Sequence, residues 1–298
     1  MSTTKQTAKT SVENLPTAHL SAFKRTLSGI LSTTLAERTF AQIIDGLPTR
    51  DDNGYFPTYS TEIRDNTASS AEAMEGAREL LRGHINAYTT LVDAKLAQAY
   101  QDARPGSVEF YLRLLEMLAV ACHDIAALVY GDTQPGLRRA GQSAQECLAA
   151  LEGRPTDFMH EDYCALQQYP RGVADVAEYH LFGGVVLFDR GGSGTDCKRA
   201  FLHPVGGFRI FQISSTHIKK FAEYVQASED TQEALFPFSA EKYTYRVDPF
   251  DAMALNIYRD RYERVIPRDR PTRCVQRLAD FPELQDALVQ INRDGSDQ

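Results

Sequence analysis

The sequence has little of several features that identify a function directly. It contains no tryptophan, only five cysteines among 298 residues, and no excess of basic side chains. Lys and Arg number 32 against 40 Asp and Glu, a formal charge of −8, which disfavours a protein whose main role is to bind nucleic-acid phosphates. Hydrophobic residues make up 43% and charged residues 24%, which is close to the globular average and disfavours a largely disordered chain.

The cysteines are odd in number, widely spaced and without a CxxC pair. They are Cys122, Cys147, Cys164, Cys197 and Cys274. A disulfide framework needs an even set, and a zinc ribbon needs paired cysteines at ligand spacing. We therefore expect reduced thiols that pack as small hydrophobic groups, and no bound metal.

Long apolar runs are also missing. Residues 1–20 lack the apolar stretch of about 7 to 15 residues that a secretory signal requires. The most hydrophobic stretch, Leu112–Tyr130, is interrupted by polar side chains from Arg113 to Asp124, whereas a membrane span needs about 20 nearly uninterrupted apolar residues. The sequence predicts a soluble, cytoplasmic protein with no membrane contact.

The glycine-rich segment after residue 182 does not match a nucleotide-binding motif. A P-loop lysine directly follows the last glycine, but Lys198 stands four residues after Gly194. The dinucleotide pattern needs a third glycine three residues after Gly194, where this chain has Cys197. The segment is better interpreted as a flexible hairpin connection, and the sequence predicts no cofactor.

The first half has the spacing of amphipathic helices. Apolar residues recur every three or four positions over 20–44, with a break near Thr33, and again over 69–103. Ser107 is a candidate N-cap for a central helix that is apolar almost all round, and 137–151 predicts a shorter one. We expect a helical assembly of four or five segments.

Several segments lack this periodicity. Residues 1–16 are polar and predict a disordered arm, and 292–298 predict a disordered tail. The connection over 46–68 is longer than is usual between packed helices. The sequence leaves open whether it is a lid, a partner-facing loop or a plain excursion.

After about residue 180 the period of the hydrophobic pattern falls from about three and a half to about two. Short β-branched and aromatic runs over 183–189, 198–203 and 208–214 are separated by glycine-rich turns, which predicts a three-stranded antiparallel meander. A helix over 217–226 and an edge strand over 242–247 are expected to follow.

The remaining pattern completes an α+β prediction. Asp248-Pro249 has the arrangement of an N-cap followed by proline, which predicts a helix over 249–261, and a last helix is expected over 282–291. The fold class is therefore α+β: a helical region over 17–152 packed against an α+β region over 153–291 that contains the antiparallel meander.

His203 is the histidine most open to a catalytic interpretation. It ends a predicted strand beside a glycine turn, where an imidazole can face a cleft and titrate near neutrality. If the strands over 183–189 and 199–203 pair, Asp189 and Arg190 are expected near it, which would place a carboxylate, a guanidinium and an imidazole together. In the alternative, Asp189 and Arg190 bind the turn backbone and His203 packs in the core.

Cys122, His123 and Asp124 have the residue types of a catalytic triad but not its spacing. Neighbouring residues on a helix point about 100° apart and do not face one another. We therefore expect these side chains to serve core packing.

Parts of the C-terminal half resemble stretches of hypothetical proteins of filamentous fungi. The resemblance spans 183–267 and is carried by GGVVLFDRGGSG, the following HP, FRIFQI, RVDPFDAM and IYRDRYERVIP. It implies a eukaryotic intracellular protein, an accessory member of a specialised-metabolite pathway. No catalytic residue is carried over, because that group has no established chemistry.

Two functions remain open on the sequence. The first is a binding or interaction protein whose partner is a small molecule or another protein, and it predicts no pocket with converging ionisable groups. The second is a cofactor-independent lyase, cyclase or isomerase that uses acid–base chemistry at the junction of sheet and helices. It predicts that His203, Asp189 and Arg190 converge on one cavity.

Overall fold

A computed structural model of the chain covers much of the helical half and most of the predicted sheet. It describes residues 8–46, 48–50, 65–84, 91–133, 172–204, 208–227, 235–259 and 280–284. The predicted helix over 137–151 and the part of the predicted last helix after Leu284 lie outside the described residues.

Eight α-helices occur in the described part of the chain. In chain order they are α1 (Thr17–Leu31), α2 (Thr34–Asp45), α3 (Ala71–Glu79), α4 (Ala94–Asp102), α5 (Val108–Thr133), α6 (Gly172–Phe182), α7 (Ser215–Gln226) and α8 (Pro249–Ala252).

Helix α5 is the centre of the helical part, as its apolar composition predicts. It packs against α1, α2, α4, α6 and α7, and also against the sheet. A helix that is apolar nearly all round can remove its apolar surface from water only when other elements enclose it. Its start is also as predicted, because the Ser107 hydroxyl accepts a hydrogen bond from the Phe110 amide at 3.1 Å.

The predicted break near Thr33 is confirmed. The Thr33 hydroxyl accepts a hydrogen bond from the Ala36 amide at 3.1 Å and so caps the start of α2. At the other end Gly46 adopts a left-handed conformation with φ of 71°, which glycine takes without steric cost.

The predicted helix over 69–103 is wrong in its middle. Helix α3 ends at Glu79, a π-helical turn covers Leu80–His84, and Leu91–Asp93 form strand β2, which pairs antiparallel with β1 (Lys9–Ser11). Pairing with a segment some 80 residues away satisfies the backbone groups of β2, a long-range effect that helical spacing does not reveal.

The same pairing changes the expectation for the N-terminal arm. Residues 9–11 are a strand rather than disordered chain, and Val12 next to them is buried. The Asp93 carboxylate then accepts hydrogen bonds from the Lys95 amide at 2.7 Å and the Leu96 amide at 3.2 Å, which begins α4.

The predicted meander is confirmed and belongs to a larger antiparallel sheet. The sheet contains β3 (Gly184–Asp189), β4 (Ala200–Pro204), β5 (Ile210–Gln212), β6 (Arg246–Val247) and β7 (Ile257–Tyr258), in the order β6-β5-β4-β3-β7. Every neighbouring pair is antiparallel, so the chain is an α+β protein as expected.

Both faces of this sheet are buried. Val186, Phe188 and Leu202 point to the face that joins the helical core. Val185 and Phe201 point to the opposite face, where they join a second, smaller cluster. This alternation follows from the pleat, which turns successive side chains to opposite faces.

The predicted helix over 249–261 is also too long. The Asp248 carboxylate caps α8 as expected, accepting from the Phe250 amide at 2.9 Å, but the helix ends at Ala252. Asn256 takes a left-handed φ of 57°, and the next two residues form β7 against β3. An edge of β3 that would otherwise lack a partner recruits these residues into the sheet.

The helical region and the sheet share one cluster of buried side chains, which runs from Phe23 of α1 to Phe221 of α7 and includes Val186 of the sheet. The expected boundary near residue 152 lies outside the described residues. Among the helices that the structure describes, none has the length and apolar character required to cross a membrane.

The close approach of β3 and β4 at Gly184 gives a stability prediction. A Cβ at this position would lie 2.3 Å from the His203 carbonyl oxygen, and paired backbone cannot move aside easily. We expect Gly184→Ala to lower the free energy of unfolding by about 1–3 kcal/mol in denaturant titration. Gly192→Ala is the matched control, since a Cβ there meets nothing within 4 Å; equal effects of both changes would contradict the described pairing.

Candidate functional site

The three side chains nominated from the sequence occupy different environments. His203 lies buried in β4, opposite Val185 of β3. Asp189 ends β3 and accepts hydrogen bonds from Arg199 Nε at 3.0 Å and Nη2 at 2.7 Å. The Nη1 atom of Arg190 lies 2.6 Å from Oε1 of Glu116, which is a residue of α5.

The structure does not bring these three residues together. His203 is opposite Val185, four residues before Asp189, and a strand rises about 3.3 Å per residue, so about 13 Å of sheet separates them. Asp189 and Arg190 are consecutive and point to opposite faces. The strands pair as expected, but their register prevents the convergence, and a catalytic role for the three residues stays a prediction.

A buried group of charges lies where β3 meets α5. The Glu116 carboxylate receives Arg113 Nη1 at 2.9 Å and Arg190 Nη1 at 2.6 Å. The Nη2 atom of Arg113 donates a hydrogen bond to the Thr195 carbonyl at 2.6 Å and so holds the glycine-rich loop against α5. The glycine-rich segment after Arg190 is therefore a connection between strands that Arg113 holds in place.

A second buried group lies farther along α5. His123 Nδ1 is 2.9 Å from Glu178 Oε1 of α6, and Arg259 donates to the same carboxylate. The second Glu178 oxygen accepts from the Val186 amide at 3.4 Å. Arg190 joins the two groups, because its guanidinium donates to the Arg259 carbonyl.

These two groups, which we call the ionic network, consist of Arg113, Glu116, His123, Glu178, Arg190 and Arg259. Each side chain is 8% exposed or less. Charges withdrawn from water to this extent are tolerated only when they are paired and hydrogen-bonded. The network joins α5 and α6 to the sheet, and within the part of the chain that the structure describes its side chains are closed to solvent.

A shallow pocket lies at the junction of the sheet and α7. Its walls are formed by Leu202, Phe211, Gln212, Ile213, His217, Phe238, Ser239 and Glu241. Its enclosed volume is about 10 Å³, far below the roughly 300–1,000 Å³ typical of ligand pockets. Its closed part has room for about one water molecule.

A histidine and a glutamate meet in this pocket, and we call them the His217–Glu241 pair. His217 Nδ1 lies 2.7 Å from Glu241 Oε1. Helix α7 positions the imidazole, since the Ser214 hydroxyl accepts from the His217 amide at 3.1 Å and thereby fixes the first turn. The Phe238 ring packs edge-on against the imidazole, with centroids 6.0 Å apart.

Ser214 also fixes the carboxylate. Its amide donates to Glu241 Oε2 at 2.9 Å and its hydroxyl donates to Oε1 at 2.8 Å. Burial favours the neutral acid, but the hydrogen bonds from Ser214 and the His217 contact outweigh that effect and lower the pKa of Glu241. The carboxylate therefore stays ionised and accepts hydrogen bonds only.

This partner determines the tautomer of His217. An ionised carboxylate cannot donate, so Nδ1 carries the proton in the neutral imidazole and Nε2 presents a lone pair. Within the described part of the chain, Nε2 makes no hydrogen bond. An imidazole that a carboxylate orients through one nitrogen, in the wall of a pocket, has the arrangement of a general base.

Sequence reasoning did not find this pair. The cap at Ser214 and the helix over 217–226 were expected, but Glu241 lies 24 positions beyond His217 with a chain reversal between them. Its approach depends on the segment around Phe238, whose amide donates to the Phe182 carbonyl at 3.0 Å. The spacing of residues along the sequence does not predict a contact between two side chains that meet only because the chain folds back.

Other chemistry in the described residues is limited. Cys122 and Cys197 are both free and buried, and burial raises the pKa of each thiol to about 12, so neither is a reactive thiolate near neutral pH. Among the residues that the structure describes, no three His, Cys, Asp or Glu side chains come together as metal ligands. The expectation of no metal and no cofactor stays a prediction.

Comparison of the chain with protein-family models, with curated proteins and with solved structures finds no match to any of them.

The ionic network gives a second stability prediction. Glu116→Gln keeps the shape of the side chain but leaves Arg113 and Arg190 buried without a counter-charge. We expect a loss of about 3–5 kcal/mol in the free energy of unfolding. Glu75→Gln is the control, because its pair with Arg78 is exposed and screened by water and so contributes little; similar losses from both changes would refute the proposed fastening role.

The lowered pKa of Glu241 predicts a pH effect. The folded pKa lies below the ordinary glutamate value of 4.5, so this carboxylate stabilises the fold above about pH 4.5, and the contribution is lost as the pH falls through the folded pKa. The stability difference between the wild-type protein and Glu241→Gln should therefore shrink in denaturant titrations as the pH falls below about 4.5. A difference that grows on acidification would contradict the assigned contacts.

Proposed function

We propose that the protein is a cofactor-independent enzyme that performs acid–base chemistry on a small molecule, with His217 as general base and Glu241 as the group that orients it. The observation that supports this most directly is the 2.7 Å contact between His217 Nδ1 and Glu241 Oε1 in the wall of a pocket. The binding-protein alternative predicts no pocket with converging ionisable groups, and this pocket has two.

The carboxylate has two effects on the imidazole. It holds the tautomer in which Nε2 is basic, and it stabilises the positive charge that forms when Nε2 takes a proton. Its own hydrogen bonds from Ser214 keep it in place in both states. A positioned general base of this kind contributes about 10²–10⁴-fold to a reaction rate.

The pocket walls favour this chemistry. Leu202, Phe211 and Phe238 present apolar surface beside the imidazole, and an apolar surrounding strengthens the electrostatic interaction between His217 and Glu241. The location is the junction of sheet and helices expected for the enzymatic alternative, although the residues are different ones.

An interaction protein is the second candidate. Tyr243 is 85% exposed and takes a left-handed φ of 59°, which is unusual for a residue with a side chain, and Tyr245 nearby is half-exposed. Arg199 lies over the Tyr245 ring at 5.9 Å. Tyrosine and arginine are enriched where proteins bind one another, so this surface favours a protein partner.

Exchange and turnover in D2O test the enzymatic function. The purified protein is incubated with a small-molecule cell extract in D2O, and mass spectrometry follows compounds that are consumed or deuterated. His217→Asn retains a donor in the place of Nδ1 but removes Nε2. We expect the wild-type protein to convert or deuterate at least one compound, and we expect His217→Asn to do so at least about 100-fold more slowly.

Lys219→Gln is the matched control, because this residue lies on the same helix and is exposed to solvent. It should act as the wild-type protein does. Equal turnover by His217→Asn, or no compound changed by the wild-type protein, would contradict the enzymatic function.

A further inference from the structure

We propose that residues 280–284, which we call the clasp, keep the pocket beside His217 closed, and that release of the clasp opens the pocket by freeing β5. This inference rests on the proposed acid–base function and concerns the regulation of that same site. It is drawn from the contacts that join the clasp to β5 and β6, the two strands at one end of the sheet.

A row of side chains leads from the pocket to Arg246. Leu202 of β4 is the register partner of Phe211 of β5, and both residues line the pocket. Phe211 is in turn the register partner of Arg246 of β6, so the three side chains stand in a row on one face of the sheet. The Arg246 guanidinium lies over the Phe211 ring at 5.2 Å and therefore packs against the pocket wall.

The clasp binds the same guanidinium. Glu283 accepts hydrogen bonds from both terminal nitrogens of Arg246, and the bond from Nη1 to Oε1 measures 3.0 Å. The Phe281 ring also lies beside this guanidinium, with its centroid 5.8 Å from the central carbon. A guanidinium that a carboxylate binds through two nitrogens is fixed in orientation, so the clasp keeps Arg246 against Phe211.

The clasp also holds the residues that lead into β5. Asp280 is fully buried, and its Oδ1 accepts hydrogen bonds from the Phe208 and Arg209 amides, both at 2.7 Å. The Arg209 guanidinium lies over the Phe281 ring at 5.8 Å. The strand that follows supplies two residues of the pocket wall, so these contacts restrain the wall at its start.

The other walls of the pocket are held without the clasp. Leu202 belongs to β4, which pairs with β3 over five residues. Ser214 fixes both His217 and Glu241 through hydrogen bonds. By contrast, β5 has three residues and its outer neighbour β6 has two. Short strands at the end of a sheet open at a lower free-energy cost than longer paired ones, so β5 is the wall that moves when the clasp is released.

Release of the clasp changes what can reach His217. In the closed state the pocket has room for about one water molecule. A reactant that contacts the imidazole directly therefore needs a wall to move, as it does in enzymes whose lids open and close. The clasp is suited to release, because the side chains of Arg246 and Glu283 are 15% and 21% exposed, so that water and salt weaken their ion pair.

Modification of His217 by diethyl pyrocarbonate tests the inference. The reagent adds an ethoxycarbonyl group to a neutral imidazole that it can reach, and peptide mass spectrometry gives the rate at His217 without any substrate. Glu283→Gln keeps the shape of the side chain but removes the charge that binds Arg246. We expect His217 to be modified at least about 5-fold faster in this variant than in the wild-type protein.

Two controls separate opening of the pocket from general loss of structure. Glu75→Gln removes a carboxylate from an exposed ion pair with Arg78, and this variant should match the wild-type protein. His19 is buried in α1 and reports unfolding, so its rate of modification should be the same in all three proteins.

Salt provides a second test that needs no substitution. Raising sodium chloride from about 0.05 M to about 1 M shortens the screening length from more than about 10 Å to about 3 Å and weakens the Arg246–Glu283 pair. We expect salt to speed the modification of His217 in the wild-type protein and to change it less in Glu283→Gln. If His19 shows that the variant unfolds, the salt dependence of the wild-type protein decides.

Equal rates at His217 in the wild-type protein and Glu283→Gln, or a wild-type rate that does not rise with salt, would overturn the inference. Such a result leaves the acid–base function intact if the wild-type protein still converts a compound of the extract. If loss of the Glu283 charge exposes His217 but no compound is converted, the clasp stands and the acid–base function falls.

Discussion

The buried carboxylate of Glu116 constrains much of this structure. It receives two guanidinium groups, that of Arg113 from the same helix and that of Arg190 from the end of β3. Because none of these charges can return to water without breaking the contact between helix and sheet, the strand has one favourable position on α5. Arg190 extends the constraint to β7 through the Tyr258 carbonyl, which accepts its Nε–H at 3.1 Å.

The rigid part and the chemically accessible part of the molecule are separate. The ionic network has the residue types of an active site, but its side chains are closed to solvent and are paired with one another. The His217–Glu241 pair has fewer charges but meets a pocket. Clusters of titratable residues are functional candidates only where a reactant can reach them, and this condition favours the pair over the network.

The fold was predictable where local pattern and tertiary structure agree. The α5 helix, the break at Thr33 and the meander of β3, β4 and β5 followed from hydrophobic period and from capping residues. The predictions over 69–103 and 249–261 were wrong because strand pairing with distant segments, β1 in one case and β3 in the other, overrode helical spacing. Such pairings depend on distant segments, and the local hydrophobic pattern does not predict which segments pair.

By itself the sequence determined the order and type of most elements, since a period near three and a half or near two is a property of each segment. It also predicted that α5 lies in the core, because a helix that is apolar nearly all round must be enclosed by other elements. Only the tertiary structure decided which side chains meet. The register of β3 and β4 separates His203 from Asp189, and the return of the chain after α7 brings Glu241 to His217. Register and chain return are fixed by contacts between distant segments, so they exist only once the whole chain has packed.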